Sequence, residues 1–407
     1  MTSISPDPWL TGGAGHTPEI LHDLPGDRSL PPGVTLRQVV LRHPCGGEVF
    51  AAIATPPGPG PHPGLLVLHG GGGIAEVEKA LAWAERGYLA VAPDLPGIAE
   101  PSRLTHTQGR WNALTYGEGR WTATPDPRAS VIFDAVVAAV QALGLLRAQP
   151  GIDRQRIGVT GISWGGYMTT MVSALAGSQV RAAFSVFGCG FYEHTVSARH
   201  LAAMAPDEQA AWLACLDPGR RASAIQAPVF LAAATNDFFF FPRAVQATLD
   251  ALPGEQHHLF AANADHQAPV PGGMDPTPAP PAGFAATSTQ RLPTPLGSRG
   301  HWLAMEMPWF DWHLRGEGQP FPMVQAESPA LGGVAVVEVA SPRPVIDVTF
   351  HAAAEAADPT QRRWEALPAV ALGAGRWHAR LPDAATTWFA SVSDDRPVTV
   401  STDLQER

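Results

Sequence analysis

The sequence has little lysine, little basic charge overall and no long apolar run. Lys79 is its single lysine, and 27 basic residues face 37 acidic ones, for a net charge of −10. Such a chain lacks the basic face that nucleic-acid phosphates require, so we expect no nucleic-acid partner. No apolar run approaches the roughly 20 residues that cross a bilayer, and residues 1–10 lack a secretory-leader pattern. We therefore expect a cytoplasmic protein without a membrane partner.

Cysteine is also scarce. Cys45, Cys189 and Cys215 lie far apart and form neither a zinc-ligand spacing nor a disulfide framework. The sequence contains no His-Glu-x-x-His zinc pattern, and no Gly-Lys-Ser/Thr follows its glycine run as a phosphate loop would require. We expect neither a metal nor a cofactor.

The pattern of apolar runs predicts an α/β fold. Leu65–Leu68, Ile157–Thr160 and Pro228–Ala234 are short and almost wholly apolar, as strands buried on both faces must be. Helical patterns alternate with them, which indicates a mostly parallel, doubly wound sheet. Beyond Pro322 the runs are β-branched or aromatic and are separated by turn residues, which is typical of a small β-sandwich.

These patterns divide the 407 residues into three parts. We predict an irregular N-terminal segment at 1–30, an α/β domain at 31–324 and a β-sandwich at 325–407. Within the α/β domain we expect an aromatic loop at 98–128, a candidate cap at 190–226 and a proline-rich insertion at 267–300.

Gly161-Ile162-Ser163-Trp164-Gly165 is the strongest chemical motif. It lies between an expected strand and an expected helix, where a sharp turn holds a serine in a strained conformation with its hydroxyl exposed. The small residues two positions before and two positions after Ser163 are needed because the strand and helix backbones pass close together. The pattern predicts that Ser163 is a nucleophile.

A glycine run, His69-Gly70-Gly71-Gly72-Gly73, follows an earlier apolar strand. Glycine permits the backbone to approach a substrate oxygen closely, because no side chain intervenes. We expect the N–H groups of Gly71 and Trp164 to form an oxyanion hole, with Gly72 as a weaker candidate.

A serine nucleophile requires a base and an acid that orients the base. In α/β folds with a serine at this kind of turn, the chain order is Ser, then Asp or Glu, then His. Asp237 lies just past the strand Pro228–Ala234, and His266 follows the next strand. We predict that both act with Ser163. His301, which begins the helix expected at about His301–Arg315, is the alternative base.

The stretches VLHGGGG, DRQRIGVTGISWGGYMTT, AATNDFFFFP, NADH and WFDWHLRGEGQPFP resemble the acetyl xylan esterase and dienelactone hydrolase branch of the α/β-hydrolase superfamily. The elbow is also similar to that of the prolyl oligopeptidase family. The resemblance covers roughly residues 35–320 and implies the α/β-hydrolase fold, with Ser163, Asp237 and His266 as a catalytic triad. Dienelactone hydrolases carry a cysteine where this chain has Ser163, and the 267–300 insertion is a second departure.

The resemblance implies a serine esterase that acts on short acyl esters, with an acetylated carbohydrate as one candidate substrate. Trp111, Tyr116 and Trp121 are candidate substrate-binding residues or a packed lid. Two alternatives stay open: a serine peptidase of the prolyl oligopeptidase type, and a non-catalytic binding protein on a hydrolase scaffold.

Overall fold

The computed structural model of the chain describes residues 17–26, 29–266, 303–331 and 333–406. These residues form two compact units. The first contains the described residues up to Val229 together with Asp250–Glu255, and the second contains Phe230–Leu249 and the described residues from Gln256 onward. No helix among these residues combines the length and hydropathy that a bilayer-spanning helix needs.

The described residues of the first unit form seven strands and five α-helices, with short 3-10 helices between them. The strands are β1 (Ile20–Leu24), β2 (Thr35–Arg42), β3 (Glu48–Thr55), β4 (His62–Leu68), β5 (Leu89–Pro93), β6 (Ile152–Ile162) and β7 (Ala182–Val186). The helices are α1 (Val77–Glu85), α2 (Val131–Arg147), α3 (Trp164–Ala176), α4 (Ala198–Ala202) and α5 (Pro206–Leu216).

The strands of the first unit pair in the order β1-β2-β3-β5-β4-β6-β7. Pairing is antiparallel from β1 to β5 and parallel from β5 to β7. Leu65–Leu68 of β4 is fully buried, which is why the strand is apolar throughout rather than alternating. Helix α2 begins where the Ser130 hydroxyl accepts a hydrogen bond from the Ile132 N–H at 3.2 Å, and it buries nearly all of its residues.

The second unit contains the remaining strands and helices. They are β8 (Val229–Ala234), α6 (Pro242–Asp250), β9 (Gln256–Ala261), α7 (Leu303–Phe310) and a π-helical turn at Asp311–Arg315. The first residue of β8 and the last residue of α6 belong to the first unit. The C-terminal strands are β10 (Met323–Leu331), β11 (Val334–Ala340), β12 (Val345–Ala353), β13 (Glu365–Pro368), β14 (Val370–Gly373), β15 (Arg376–Arg380), β16 (Thr387–Asp394), β17 (Thr399–Ser401) and β18 (Gln405–Glu406).

The C-terminal strands form two antiparallel sheets. One has the order β10-β11-β15-β14, and the other has β13-β12-β16-β17, with β18 also paired to β16. Phe350, Trp388 and Phe389 are buried in them, as expected of a sandwich core. The predicted fold class, an α/β-hydrolase sheet with a C-terminal β-sandwich, is confirmed; the predicted domain boundaries stay a prediction.

Strand β1 corrects one expectation, because Ile20–Leu24 lies in the segment predicted as irregular. Its sequence Ile-Leu-His-Asp-Leu has no sustained alternation, and pairing with β2 supports it. A two-bonded ion pair between Asp23 and Arg37 joins the two strands at 2.8 and 3.0 Å.

Candidate active site

Ser163 occupies a sharp turn between β6 and α3. Its backbone has φ 58° and ψ −119°, a conformation that is strained for any residue with a side chain. The Ser163 N–H donates to the Val186 carbonyl at 2.7 Å, and its own carbonyl accepts from the Tyr167 N–H at 3.0 Å. Hydrogen bonds on both sides therefore hold the strained residue at the head of α3.

The glycines around Ser163 lie where no side chain fits. An ideal Cβ on Gly165 would lie 2.1 Å from the Leu68 carbonyl oxygen, and one on Gly161 would lie 2.4 Å from the Gly165 oxygen. A Cβ on Gly166 would lie 2.8 Å from the Gly188 backbone. Close passage of strand and helix, inferred from the sequence, is the reason for glycine at these positions.

Two backbone N–H groups adjoin the serine turn. Among the described residues, the N–H groups of Gly71 and Trp164 donate to no protein acceptor. Gly72, the weaker candidate, donates its N–H to the Ile98 carbonyl at 2.8 Å. Gly71 also lies between two aromatic side chains, since an ideal Cβ on it would be 2.6 Å from the Tyr116 hydroxyl and 2.7 Å from the Trp164 ring. Gly71 rather than Gly72 thus remains available as a donor.

His69 fixes the start of the glycine run. Its Nε2 accepts a hydrogen bond from the Leu95 N–H at 2.8 Å, so the ring proton must be on Nδ1, which donates to the Gly70 carbonyl at 2.8 Å. Burial lowers the pKa of His69 to about 4, so the ring is neutral at physiological pH. The neutral imidazole ties the glycine turn to the end of β5.

Asp237 and His266 form a buried pair in the second unit. His266 Nδ1 donates to Asp237 Oδ2 at 2.8 Å, and both side chains are almost fully buried. Asp237 Oδ1 accepts from the N–H groups of Phe239 and Phe240 at 2.7 and 2.9 Å. Three donors fix the carboxylate, and the carboxylate fixes the imidazole tautomer.

Phenylalanine rings surround the imidazole of this pair. The ring centroids of Phe238, Phe239 and Phe240 lie 5.8, 4.9 and 5.8 Å from that of His266. The sequence prediction assigned these residues no role, although the run of phenylalanines directly after Asp237 was the available signal. They limit access of water to the Asp237–His266 hydrogen bond, which strengthens it.

The predicted triad is thus distributed over both units. The structure brings Asp237 and His266 together, and Ser163 lies in the first unit. The grouping of all three stays a prediction. His301, the alternative base, and the proline-rich insertion at 267–300 lie outside the described residues.

Trp111 is a core residue, which corrects its candidacy for substrate binding. The side chain is 1% exposed and packs with Val49 and Val131. Its ring also contacts His43 edge-on, with centroids 5.3 Å apart. A ring buried to this extent has no face left for a substrate.

Trp121 belongs to an aromatic cluster that also includes Trp164, the residue after Ser163. Its centroid lies 6.2 Å from that of Trp164 and 5.0 Å from that of Trp212, and it stacks on His200 at 5.1 Å. Tyr116 is 43% exposed, and the Arg120 guanidinium lies 4.3 Å above its ring. Tyr116 and Trp121 both stay candidates for substrate contact.

One group of side chains among the described residues has ligand atoms close enough for a metal ion, His43, Cys45 and Asp134. Both nitrogens of His43 are already used: Nδ1 accepts from the Cys45 N–H at 3.2 Å, and Nε2 donates to the Asp134 carbonyl at 3.1 Å. The Asp134 carboxylate pairs with Arg110 at 2.8 Å. This arrangement leaves no imidazole lone pair for a metal, and we assign none.

Comparison with known proteins agrees with this architecture. The acetyl xylan esterase from Paenibacillus sp. R4 superposes with a TM-score of 0.52 at 20% identity, over 63% of this chain and 87% of that one. Acetyl xylan esterase 1 from Thermoanaerobacterium sp. JW/SL YS485 gives a TM-score of 0.51 at 19% identity, over 70% of this chain and 92% of that one. At these identities the likeness shows the α/β-hydrolase fold.

Sequence comparison gives the family. A protein of Azospirillum brasilense, whose name refers to a carboxymethylenebutenolidase, is 43% identical over 70 residues. The match spans 16% of this chain and 30% of that relative. The family model described as the dienelactone hydrolase family matches residues 49–266, more than half of the chain. The chain therefore belongs to the dienelactone hydrolase family.

Proposed function

We propose that the protein is a serine hydrolase that cleaves carboxylic esters through an acyl-enzyme intermediate. The observation that carries the proposal is the backbone of Ser163, held at φ 58° at the head of α3. Strained backbone of this kind persists only where the surrounding structure enforces it, and it concentrates at functional sites. We assign Ser163 as the nucleophile.

His266 is the proposed general base, and Asp237 orients it. Because Nδ1 of His266 donates to Asp237, the other ring nitrogen, Nε2, is the one that can accept a proton. The Asp237 carboxylate also stabilises the imidazolium that forms when Nε2 takes the Ser163 proton. The chain order of the three residues, Ser, Asp, His, is that of α/β hydrolases.

The proposed oxyanion hole consists of the N–H groups of Gly71 and Trp164. Trp164 is the first residue of α3, so its N–H lies at the positive end of the helix dipole. Donors that are already oriented stabilise the negative oxygen of the tetrahedral intermediate without reorganising during the reaction.

The reaction then follows from these roles. The Ser163 oxygen attacks the ester carbonyl carbon while His266 takes its proton, and the tetrahedral intermediate collapses when His266 returns that proton to the leaving alcohol. Water attacks the resulting acyl-Ser163 ester with His266 again as the base, and the acid and free serine are released.

Short acyl esters are the proposed substrates, with acetylated carbohydrates as one candidate class. The bulky Trp164 ring directly follows the nucleophile and lies 6.2 Å from Trp121, which favours small acyl groups at this position. The names of both solved relatives, acetyl xylan esterases, support the same choice.

The test is hydrolysis of p-nitrophenyl esters of increasing acyl length by the wild-type protein and by Ser163→Ala. We expect the acetate to be preferred over the octanoate, and the variant to lose several orders of magnitude in kcat/KM. Ser173→Ala, the same change at a buried serine further along α3, is the matched control and should keep its activity.

Unchanged turnover by Ser163→Ala would contradict the nucleophile assignment. Greater activity on an aminoacyl-nitroanilide than on p-nitrophenyl acetate would favour a serine peptidase instead. Failure of a fluorophosphonate probe to label Ser163 in the wild-type protein would favour a non-catalytic binding protein.

A further inference from the structure

Asn236, the residue before Asp237, is hydrogen-bonded to a part of the second unit that lies far along the chain. Its side-chain Nδ2 donates to the carbonyls of Thr360 at 2.9 Å and Arg362 at 2.6 Å. Its Oδ1 accepts from the Thr235 hydroxyl at 2.8 Å. The amide group thus uses both N–H bonds and its oxygen, and Asn236 is almost fully buried.

Asn263, three residues before His266, is bonded to the same part of the chain. Its Nδ2 donates to the Trp364 carbonyl at 2.7 Å, and its Oδ1 accepts from the Trp364 N–H at 2.9 Å. The Asn263 backbone has φ 54°, a left-handed conformation that asparagine tolerates better than most residues. Both the side chain and the backbone of this residue are therefore suited to the position.

Further hydrogen bonds join the two loops directly. The Asn236 N–H donates to the Ala264 carbonyl at 2.9 Å, and the Asn263 N–H donates to the Thr235 hydroxyl at 2.9 Å. Thr235 bridges the loops a second time through its own N–H, which donates to the Ala261 carbonyl at 3.0 Å. The loops that carry Asp237 and His266 therefore form one hydrogen-bonded assembly.

The segment Asp358–Trp364, which receives these bonds, is itself anchored. Asp358 Oδ1 accepts from the N–H and the hydroxyl of Thr360 at 2.9 and 2.7 Å, which fixes the turn at Pro359–Gln361. Trp364 is 4% exposed, and its ring packs edge-on against Phe389 of β16 at 5.0 Å. The segment is fixed to the core of the C-terminal sheets.

We propose that Asp358–Trp364 of the C-terminal region positions the Asp237–His266 pair, with Asn236 and Asn263 as its two positioning residues. The inference rests on the proposed function, because positioning matters only if this pair is the acid and base. It gives the C-terminal strands a role in catalysis, since they hold the segment to which both loops are hydrogen-bonded.

The physical basis is that proton transfer tolerates little displacement of the reacting groups. A misplacement of about 1 Å can reduce the rate about 100-fold. Asp237 is adjacent to Asn236 in the chain and His266 is three residues from Asn263, so a loosened asparagine displaces its neighbour. Substrate binding, which uses other residues, should change little.

The experiment compares Asn236→Ala and Asn263→Gly with the control Gln246→Ala, each in the 407-residue chain. Glycine at position 263 retains the left-handed backbone and removes only the amide. Gln246 is a matched control, because its amide also bonds twice to the C-terminal region, to Asp403 at 3.1 Å and to the Leu404 N–H at 3.0 Å. These two partners of Gln246 lie outside the segment Asp358–Trp364.

Three measurements separate positioning from general stabilisation. The far-downfield proton resonance of His266 Nδ1–H reports the hydrogen bond to Asp237 without any substrate. We expect it to broaden or disappear in both asparagine variants and to persist in Gln246→Ala. We also expect kcat on p-nitrophenyl acetate to fall about 10- to 100-fold in the asparagine variants, with KM within about twofold of the wild-type value. Urea unfolding measures the stability of all three variants, so that a loss of kcat can be separated from a loss of folded protein.

Asn263→Asp is the conservative variant. It keeps the acceptor for the Trp364 N–H and the tolerance of a left-handed backbone, so it should recover part of the lost kcat.

Each outcome has a distinct meaning. An unchanged resonance and an unchanged kcat per folded molecule in both asparagine variants would overturn the inference, even if their stability fell. Absence of the resonance from the wild-type protein would overturn it too. A wild-type protein with the resonance but without esterase activity would contradict the proposed function, while the resonance of the variants would still decide whether the asparagines set the geometry of the pair.

Discussion

Gly165→Ala tests whether the close approach of strand and helix positions Ser163, the proposed nucleophile. The added Cβ would lie 2.1 Å from the Leu68 carbonyl oxygen and 2.8 Å from that of His69, whereas real Cβ contacts stay above 3.0 Å. Both neighbours are backbone atoms, so α3 or β4 must move by about 0.9 Å to relieve the shorter contact. Overpacking of this kind costs about 1–3 kcal/mol of unfolding free energy.

The same displacement should reduce catalysis, because Ser163 lies two residues from the substitution. A shift of about 1 Å in a reacting group corresponds to roughly a 100-fold loss of kcat/KM. Urea unfolding and p-nitrophenyl acetate hydrolysis measure the two effects. Gly254→Ala is the control, since a Cβ there meets nothing within 4 Å. If Gly165→Ala matched the control in stability and in activity, the steric argument for the serine turn would be wrong.

Two further predictions concern buried side chains. Because its ring fills core space, Trp111→Ala should lower the free energy of unfolding by about 3–5 kcal/mol in urea titrations and leave KM unchanged. A raised KM with unchanged stability would instead support a role of Trp111 in substrate binding. His351 is buried, which lowers its pKa from 6.5 to about 4, so the unfolded chain binds the additional proton and stability is lost as the pH falls from 6.5 to 4. When the pH is lowered from 7 to 5, the unfolding free energy of the wild-type protein should therefore fall by about 2 kcal/mol more than that of His351→Gln. Equal losses in the two proteins would contradict the burial argument.

The serine turn could be predicted from the sequence because its requirements are local. A strand, two glycines and a helix within about 15 residues specify the conformation of Ser163, and the structure adds only the close contacts of Gly161 and Gly165. The pairing of Asp237 with His266 was predictable for a related reason. Both follow strands that are consecutive in the chain, and the carboxyl ends of such strands meet at one edge of a sheet.

The contacts that hold the pair could not be predicted in the same way. The partners of Asn236 lie 124 and 126 residues further along the chain, and the Trp364 partner of Asn263 lies 101 residues away. No periodicity or motif connects such positions, since the contact depends on how the C-terminal strands fold. Trp111 shows the same limit, because its loop sequence does not indicate whether the ring faces the core or the solvent.

A comparison of three buried histidines, His43, His69 and His266, favours His266 as the proposed base. The rings of His43 and His69 each accept a hydrogen bond from a backbone N–H and donate one to a backbone carbonyl, and burial lowers the pKa of both to about 4. Adding a proton to either ring would place a ring N–H against the backbone N–H that now donates to it, and this hydrogen bond would be lost. His266 instead donates Nδ1–H to the Asp237 carboxylate, so a proton gained at Nε2 creates a cation beside an acceptor that carries negative charge. Of these three imidazoles, only that of His266 can therefore take up and return a proton without losing the bond that orients it.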